Sequence, residues 1–358
     1  MTLNILDVAS KPAMQGLTKD ALKEVAKSLG QPSFRATQLF SSIYRRRITA
    51  FEEMTDLPKA LRERLAAEYR SSAVTVAKVF TSTDGTRRYL FDVDGNQQIE
   101  SVWIPEEHRD TICISSQAGC PLACDFCMTG VIGLKRNLTA GEIVGQVIAV
   151  LNQVYGPGIE PPHGVNIVMM GMGEPLLNYD NVMTAIRLMA DKDGLNIAQR
   201  RITLSTAGVV PQIYELAKEE VRPELAISLA APNDELRDKL IPINKKYPIS
   251  KLIQACSDYP LRDRERITFE YVMLDGVNDS AEHARQLAGL VSGLQTKINL
   301  IPHNSVPELP YRPSPMSRII EFQKVLAGRN IRSFIRRPRG RDINAACGQL
   351  AARKEATA

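Results

Sequence analysis

Six segments of strand character alternate with six amphipathic segments over the last two thirds of the chain. Apolar residues recur at helical spacing in each amphipathic segment. Such alternation predicts a parallel sheet, wound by right-handed crossovers into an open or closed barrel. Functional groups then collect on the loops that follow the strands. The strand segments are 111–116, 165–171, 201–206, 224–229, 267–274 and 297–302.

The residues before this alternation follow two other patterns. Residues 17–70 predict three helices, the first capped by Thr18 and stopped by Gly30. A basic run at 45–47 gives this bundle a charged rim, which suits nucleic-acid contact or simple solvation. Residues 74–104 contain short alternating segments around the turns at 83–86 and 93–96. They predict a small β-meander.

Composition places the chain in a broad class. It has 358 residues, 44% hydrophobic and 24% charged, with a formal net charge of +5. No apolar run approaches the roughly 20 residues that span a bilayer, and the first residues lack a secretion signal. We therefore expect a soluble cytoplasmic protein with reduced thiols. Clustered cysteines in that setting are more often metal ligands or catalysts than disulfides.

Three cysteines follow the first strand at C-x3-C-x2-C spacing: Cys120, Cys124 and Cys127. A structural zinc site normally has four protein ligands, and no fourth cysteine or histidine lies nearby. Three thiolates on a 4Fe-4S cluster leave one iron open. That iron can bind the amino and carboxylate groups of S-adenosylmethionine. The spacing favours this radical chemistry, with zinc or a chance grouping as the alternatives.

Polar residues after the other strands indicate where such a ligand would bind. Gly173 and Glu174 follow the second strand, where backbone can approach a ligand and a carboxylate can accept from an ammonium group. Ser205, Ser228 and Asn304 follow the third, fourth and sixth strands. Each alone could be a turn or cap residue. Together they predict one ligand face.

The other three cysteines differ in their surroundings. Cys256 has helical apolar spacing and is predicted to be core. Cys113 alternates with isoleucines, so that it faces inward with Thr111 and Ser115. Cys347 lies beyond the last strand in a tail that looks too polar for a core. For Cys113 and Cys347 the pattern leaves functional and structural roles open.

Several of these segments together resemble the RlmN family, radical S-adenosylmethionine methyltransferases that make 2-methyladenosine in 23S rRNA and tRNA. The resemblance is carried by CISSQAGCPLACDFCMTG, VMMGMGEPLLNYDNV, RRITLSTAGVVP, LAISLAAPNDELRDKLIPINKKY, EYVMLDGVND, KINLIPHN and AACGQLA. It implies an α/β fold: a partial (β/α)6 radical SAM barrel with a small helical accessory domain and a β-meander linker. The domains are then 1–72 (helical, RNA-binding), 73–105 (meander), 106–342 (radical SAM core) and 343–358 (tail).

The resemblance also implies residue roles. Cys120, Cys124 and Cys127 would hold one cluster. S-adenosylmethionine contacts would be Gly173, Glu174, Ser205, Ser228, Leu229, Ala230 and Asn304. The family usually has histidine where this chain has Ala230, which removes a side-chain contact there.

In the mechanism that the family implies, one S-adenosylmethionine methylates Cys347, and a second yields the radical that takes hydrogen from the new S-methyl group. The resulting carbon radical adds to C2 of adenine. Cys113 then forms a transient disulfide with Cys347 and frees the base. Glu100 matches the proton acceptor of the family.

The expected partners follow from charge and from the resemblance. They are 23S rRNA, tRNA and an electron donor such as flavodoxin or ferredoxin, with no membrane and a monomeric state. Arginines just before Cys347 would bind phosphate without reading sequence: Arg332, Arg336, Arg337, Arg339 and Arg341. Two rival interpretations remain at this point. They are the related adenine C8-methyltransferase (Cfr-like) and a non-catalytic iron-sulfur or zinc RNA-binding protein.

Overall fold

The computed structural model describes residues 11–352 of the chain. Its helices are α1 (Lys19–Ser28), α2 (Phe34–Phe40), α3 (Lys59–Glu68), α4 (Met128–Ile132), α5 (Ala140–Tyr155), α6 (Tyr179–Ala190), α7 (Val210–Leu216), α8 (Asp234–Leu240), α9 (Ile249–Asp258), α10 (Ala281–Leu290) and α11 (Met316–Ala327). Its strands are β1 (Thr75–Thr81), β2 (Arg87–Val93), β3 (Gln97–Glu106), β4 (Arg109–Cys113), β5 (Gln117–Ala118), β6 (Arg136–Asn137), β7 (Val165–Met169), β8 (Ile202–Thr206), β9 (Glu224–Ser228), β10 (Ile267–Met273), β11 (Thr296–Pro302) and β12 (Ser333–Ile335).

The three predicted N-terminal helices are present as α1 to α3. Thr18 caps α1 by accepting a hydrogen bond from the Ala21 N–H at 3.2 Å. Gly30 follows α1 with φ +68°, which glycine adopts without strain. A π-helical turn (Ser41–Arg45) continues α2. These helices share one apolar core with the barrel, so they are docked on it.

The basic run at the end of the π-helical turn is only partly free. Arg47 is buried and donates to Asn152 Oδ1 at 3.0 Å and to the carbonyls of Gly156 and Ile159, both at 2.7 Å. Arg46 pairs with Asp56 at 2.5 Å, whereas the side chain of Arg45 is exposed. The expectation of a charged rim is therefore wrong for Arg47, because its donors bind the end of α5 and the loop after it.

Ten of the twelve described strands form one open sheet in the order β1-β2-β3-β4-β7-β8-β9-β10-β11-β12, and β5 and β6 pair as a separate two-stranded sheet. All neighbours from β4 to β12 are parallel. Strands β1 to β4 are antiparallel neighbours. The predicted partial barrel is confirmed, with β1 and β12 as its edges.

The meander is continuous with the barrel sheet. Val102 on β3 lies opposite Cys113 on β4, so the antiparallel and parallel parts share one hydrogen-bonded surface. The expected division at residues 105 and 106 lies at the end of β3, inside this sheet. The predicted β-meander is present as β1 to β3, and it joins the barrel sheet directly through β4.

Two further differences concern the strands. β4 spans Arg109–Cys113 rather than 111–116, so Ser115 lies just beyond it. β12 is a seventh parallel strand that the pattern did not predict, with Ile335 opposite Leu300 of β11. Its three residues are flanked by arginines and are too few to show an alternation.

The helices cover the outer face of the sheet. α5 begins with a capping box between Thr139 and Glu142 and is buried along most of its length. Cys256 on α9 is 2% exposed, which confirms its predicted core position. Among residues 11–352, no helix is long and apolar enough to cross a membrane.

Candidate active site

The cysteine loop runs from the end of β4 to the start of α4. Gly119 has φ +81°, and a Cβ there would lie 1.8 Å from the Gly133 carbonyl oxygen, so only glycine fits. The Cys127 N–H donates to the Cys124 carbonyl at 3.2 Å. The loop is therefore a tight turn that directs its thiols to one side.

That side is a cavity of about 160 Å³ at the carboxyl ends of the parallel strands. The predicted ligand residues reach it from the ends of β4, β7, β8, β9 and β11, because parallel neighbours end at the same edge. The predicted residues that line it are Cys120, Cys124, Cys127, Gly173, Glu174, Ser205, Ser228, Ala230, Asn304 and Cys347.

The cysteine side chains suit an iron-sulfur cluster better than a single ion. All three are free and half-buried. Within the described part of the chain, no three His, Cys, Asp or Glu side chains converge on one ion-sized position. A zinc ion needs that convergence, whereas each thiolate of a 4Fe-4S cluster binds a different iron. The residues on this cavity wall therefore fit the cluster.

Burial changes the acidity of the cysteine thiols. It raises the pKa of Cys120 to about 12, and it raises the pKa of Cys124 well above its usual range. Both thiols are protonated at neutral pH in the absence of metal. Cluster assembly must therefore displace these protons.

Glu174 points into the cavity from the loop after β7 and is 3% exposed. Its Oε1 accepts from the Leu176 N–H at 3.1 Å, and its Oε2 accepts from the Ala207 N–H at 2.8 Å. Burial raises the pKa of this carboxyl to about 7, although these hydrogen bonds oppose the rise. Carboxylate oxygens have more lone pairs than these bonds use, so Glu174 can also accept from a ligand.

The ends of β8 and β9 supply the next wall. The hydroxyls of Ser205 and Ser228 lie 3.3 Å apart. The side chain of Leu229 is fully buried in the apolar core and does not line the cavity, so only its backbone is available to a ligand. Ala230 has φ +55°, which turns the backbone at the cavity edge.

The tail that carries Cys347 is inserted between the cysteine loop with α4 and the loop after β11. Four hydrogen bonds hold it: Asn304 Nδ2 to Cys347 O (3.1 Å), Met128 N to Gly348 O (2.9 Å), Thr129 Oγ1 to Leu350 O (2.7 Å) and Gln349 Nε2 to Ser305 O (3.2 Å). Ala345, Ala346 and Leu350 are buried. The expectation that this tail is too polar to be core is therefore wrong, because its apolar residues are buried.

Cys347 itself faces the cavity. Its side chain is exposed to that space, yet protein surrounds the space on several sides. Burial raises the pKa of the Cys347 thiol, the nearby carboxylate of Glu270 raises it further, and Arg336 lowers it. Nucleophilic attack by this sulfur therefore requires removal of its proton.

Cys113 lies behind the cavity wall at the end of β4. It is 8% exposed and does not line the cavity. Burial raises the pKa of its thiol, and negative charge on Cys347 raises it further. Two cysteines that are 234 positions apart in the sequence therefore lie within electrostatic range of each other.

Glu100 occupies a different place from the other predicted residues. It lies on β3, is fully buried and is absent from the cavity lining. Its carboxylate is paired with Arg88. Its other contacts are with the C-terminal tail and are described below.

Three further residues at the site were missed in the sequence. His303 and Glu270 line the cavity and are almost fully buried, and Arg237 is fully buried beside it. Arg237 donates to the carbonyls of Ala207 (2.6 Å), Ser228 (3.2 Å) and Leu229 (3.2 Å), and so holds two strand ends. A signal existed for Glu270, since it is the one carboxylate in the otherwise apolar and hydroxyl-bearing segment ITFEYVM.

Two family models match the chain. One is the radical SAM superfamily over residues 114–288, and the other is the ribosomal RNA large subunit methyltransferase N-terminal domain over residues 13–70. The crystal structure of a radical SAM methyltransferase from Sphaerobacter thermophilus superposes with a TM-score of 0.91. It is 44% identical, with 96% of this chain and all of that chain covered.

Curated relatives agree over nearly the full length. Dual-specificity RNA methyltransferase RlmN of Anaeromyxobacter sp. (strain Fw109-5) is 46% identical, covering 96% of this chain and 91% of its own. The RlmN of Alkalilimnicola ehrlichii is 47% identical, covering 93% of this chain and 92% of its own. The resemblance read from the motifs is confirmed, and the chain belongs to the RlmN family of radical S-adenosylmethionine methyltransferases.

Proposed function

We propose that this protein methylates C2 of a specific adenosine in 23S rRNA and in tRNA, with Cys347 as the carrier of the methyl carbon. The single observation that carries the proposal is the position of Cys347. It faces the same cavity as the three cluster cysteines and the residues expected to bind S-adenosylmethionine. RNA methylation is also what the names of the relatives state.

The cofactor residues have separate tasks in this proposal. Cys120, Cys124 and Cys127 hold one 4Fe-4S cluster. When bound, the cluster supplies the electron that splits S-adenosylmethionine and so produces the species that takes hydrogen from a methyl group. A flavodoxin or ferredoxin would provide that electron. Contacts to the ligand come from Gly173, Glu174, Ser205, Ser228, Asn304 and the backbones of Leu229 and Ala230.

Cys347 is the proposed methyl acceptor because the target carbon cannot be methylated directly. C2 of adenine is electron-poor, so it does not attack a methyl sulfonium directly. A Cys347 thiolate does, and this step leaves S-methylcysteine and S-adenosylhomocysteine. A second S-adenosylmethionine is used to activate that S-methyl group, so each turnover consumes two.

Cys113 completes the cycle. Once the carbon is bonded to C2, the adduct must lose its unpaired electron, which the cluster would take up again, and the hydrogen of C2 as a proton, for which Glu100 is the proposed acceptor. The Cys113 thiolate then attacks the sulfur of Cys347. A disulfide forms as the bond between sulfur and carbon breaks, and the electron pair stays with the departing carbon, which takes up a proton. A thiol reductant then returns the disulfide to two thiols.

The reaction product tests this proposal. The reconstituted protein would be incubated without oxygen with S-adenosylmethionine, a reductant and an adenosine-containing 23S rRNA fragment. We expect mass spectrometry of the nucleosides to reveal 2-methyladenosine. Formation of 8-methyladenosine would instead assign the protein to the C8 branch, and 5′-deoxyadenosine without any methylated base would reject the substrate.

Two exposed arginines offer the best surface for RNA phosphate near the site. Arg336 and Arg337 follow β12 and are exposed. Arg339 differs, since it donates to the carbonyls of Asp84 and Pro105 at 3.0 and 3.2 Å. Arg341 donates to Asn304 Oδ1 at 3.0 Å. We therefore assign phosphate binding to Arg336 and Arg337, in a protein that we expect to act as a monomer.

Replacing Arg336 and Arg337 with glutamine should weaken RNA binding and reduce its salt dependence. Each lost phosphate contact is expected to reduce the slope of log K against log salt by about 0.7. Fluorescence anisotropy with a labelled RNA stem-loop would measure this. Arg285→Gln on α10 is the control, because Arg285 is exposed and ion-paired with Glu282. Equal slopes for the double variant and the control would contradict the assignment.

Glu174 should make ligand binding depend on pH. Its raised pKa, about 7, means that the carboxyl becomes protonated as the pH falls below 7 and then loses its charge. S-adenosylmethionine binding should therefore be roughly eightfold weaker at about pH 6 than at about pH 7.5. Isothermal titration calorimetry would measure this. Glu174→Gln should bind weakly at both pH values with a much smaller ratio, and an unchanged ratio would exclude Glu174 as the titrating group.

A further inference from the structure

The carboxylate of Glu100 binds the C-terminal tail. Its Oε2 accepts two backbone hydrogen bonds, from the Ala351 N–H at 2.9 Å and from the Ala352 N–H at 3.1 Å. Its Oε1 is paired with the Arg88 guanidinium. Both oxygens of this buried carboxylate are thus in use, one by β2 and one by the tail.

The anchoring residue is itself held firmly. The Glu100 carbonyl accepts from Ser115 Oγ at 2.6 Å, and Leu90 lies opposite Glu100 in the sheet. Buried charge-assisted hydrogen bonds are stronger than neutral ones and depend on geometry. The carboxylate is therefore a fixed point on β3 to which the tail attaches.

The backbone of the tail is strained at this contact. Ala352 has φ +47°, a left-handed conformation that alanine seldom adopts. The Ala352 N–H donates to Glu100 in this conformation. That hydrogen bond is a physical reason why the strained backbone is kept.

The anchor limits where Cys347 can go. Ala351 lies four residues after Cys347, a segment that spans at most about 14 Å when fully extended. Asn304 holds the Cys347 carbonyl at the other end. With both contacts made, the thiol is confined to the cavity edge. Without the anchor, the segment after Leu350 has no comparable charged contact among the described residues.

We propose that Glu100 positions the tail so that the Cys347 thiol is placed for its own methylation. This inference rests on the proposed function and adds a positioning role to the proton-accepting role of Glu100. Glu100 cannot perform both roles at the same time. While Oε2 accepts hydrogen bonds from the tail, it is not available to accept a proton. Release of the tail from Glu100 must therefore come between methylation of Cys347 and proton acceptance.

A pair of variants at Ala352 separates the two roles, because neither alters Glu100. Ala352→Pro removes the Ala352 N–H, one of the two donors to Glu100 Oε2, and fixes φ near −65°. The observed left-handed conformation at residue 352 therefore cannot form. Ala352→Gly keeps the donor and adopts positive φ without strain. Iron content and thermal unfolding of the holoproteins would establish that both variants are folded and loaded.

The first readout is the exchange of backbone hydrogens in residues 345–352, which needs no activity. We expect exchange at least about tenfold faster in Ala352→Pro than in the parent, and parent-like exchange in Ala352→Gly. The second readout is the rate at which S-methylcysteine appears at residue 347, followed by peptide mass spectrometry without RNA. We expect about a 100-fold lower rate in Ala352→Pro and a parent-like rate in Ala352→Gly.

Parent-like exchange or a parent-like methylation rate in Ala352→Pro would overturn the positioning role. Absence of S-methylcysteine in the parent itself would contradict the proposed function. That outcome differs from a parent-like rate in Ala352→Pro, which would contradict only the positioning role. Glu100→Ala adds a further comparison, since it should also methylate Cys347 slowly. If Glu100 were only a proton acceptor, that variant would methylate Cys347 at the parent rate and fail only after RNA is added.

Discussion

Replacing Cys347 with alanine is expected to lower RNA methylation at least about 1000-fold. The variant lacks the only sulfur proposed to carry carbon from S-adenosylmethionine to the base. The cavity and the three cluster cysteines are otherwise unchanged, so cleavage to 5′-deoxyadenosine should persist. Mass spectrometry of the nucleosides and chromatography of 5′-deoxyadenosine would measure the two outcomes in one reaction mixture.

Cys256→Ala is the matched control for this prediction. Cys256 is also a free cysteine, but it is buried on α9 within the apolar core. Its replacement removes one buried sulfur and should cost about 1 kcal/mol of stability, without loss of methylation. Undiminished methylation by Cys347→Ala, with iron content equal to that of Cys256→Ala, would refute the carrier role.

Replacing Cys113 with alanine is expected to stop the reaction one step later. Cys347 would still be methylated and bonded to the base, but no neighbouring thiol would then displace the carbon. RNA should remain covalently attached to the protein, and free methylated RNA should stay below one equivalent per enzyme. A denaturing gel with labelled RNA would reveal the attached species as a band of reduced mobility.

The double variant Cys113→Ala/Cys347→Ala provides the control for that species. It should form no attached RNA, because the bond is made to Cys347. Multiple turnovers by Cys113→Ala would show that another group resolves the intermediate. Attachment that persists in the double variant would place the bond on a residue other than Cys347.

The barrel could be predicted from the sequence because its pattern is local. Alternating strand and helix segments appear in order along the chain, and all six predicted strands occur as β4, β7, β8, β9, β10 and β11. β12 could not be predicted, since three residues flanked by arginines are too few to show the alternation of a strand. The burial of Arg47 was equally hidden, because its partners lie more than a hundred residues further along the chain.

The residues of the candidate site likewise include some that could be predicted from the sequence and some that could not. Cys120, Cys124 and Cys127 are close in sequence, and one tight turn directs them to one side, so their spacing carries the information. Glu270 and His303 needed the strand order before they could be assigned to the cavity. The position of Leu229 also needed it, because adjacent residues at a strand end face opposite sides of the sheet.

The sequence by itself determined the class of fold, the cysteine loop and the residues at the strand ends, since each depends on neighbours along the chain. Only the tertiary structure decided that Cys113 and Cys347 lie within electrostatic range of each other and that Glu100 holds the tail. These interactions join residues 347–352 to β3 and β4, which lie more than 200 positions earlier in the chain. They form because burying the tail satisfies its backbone donors with a fixed internal carboxylate, a requirement that no local pattern expresses.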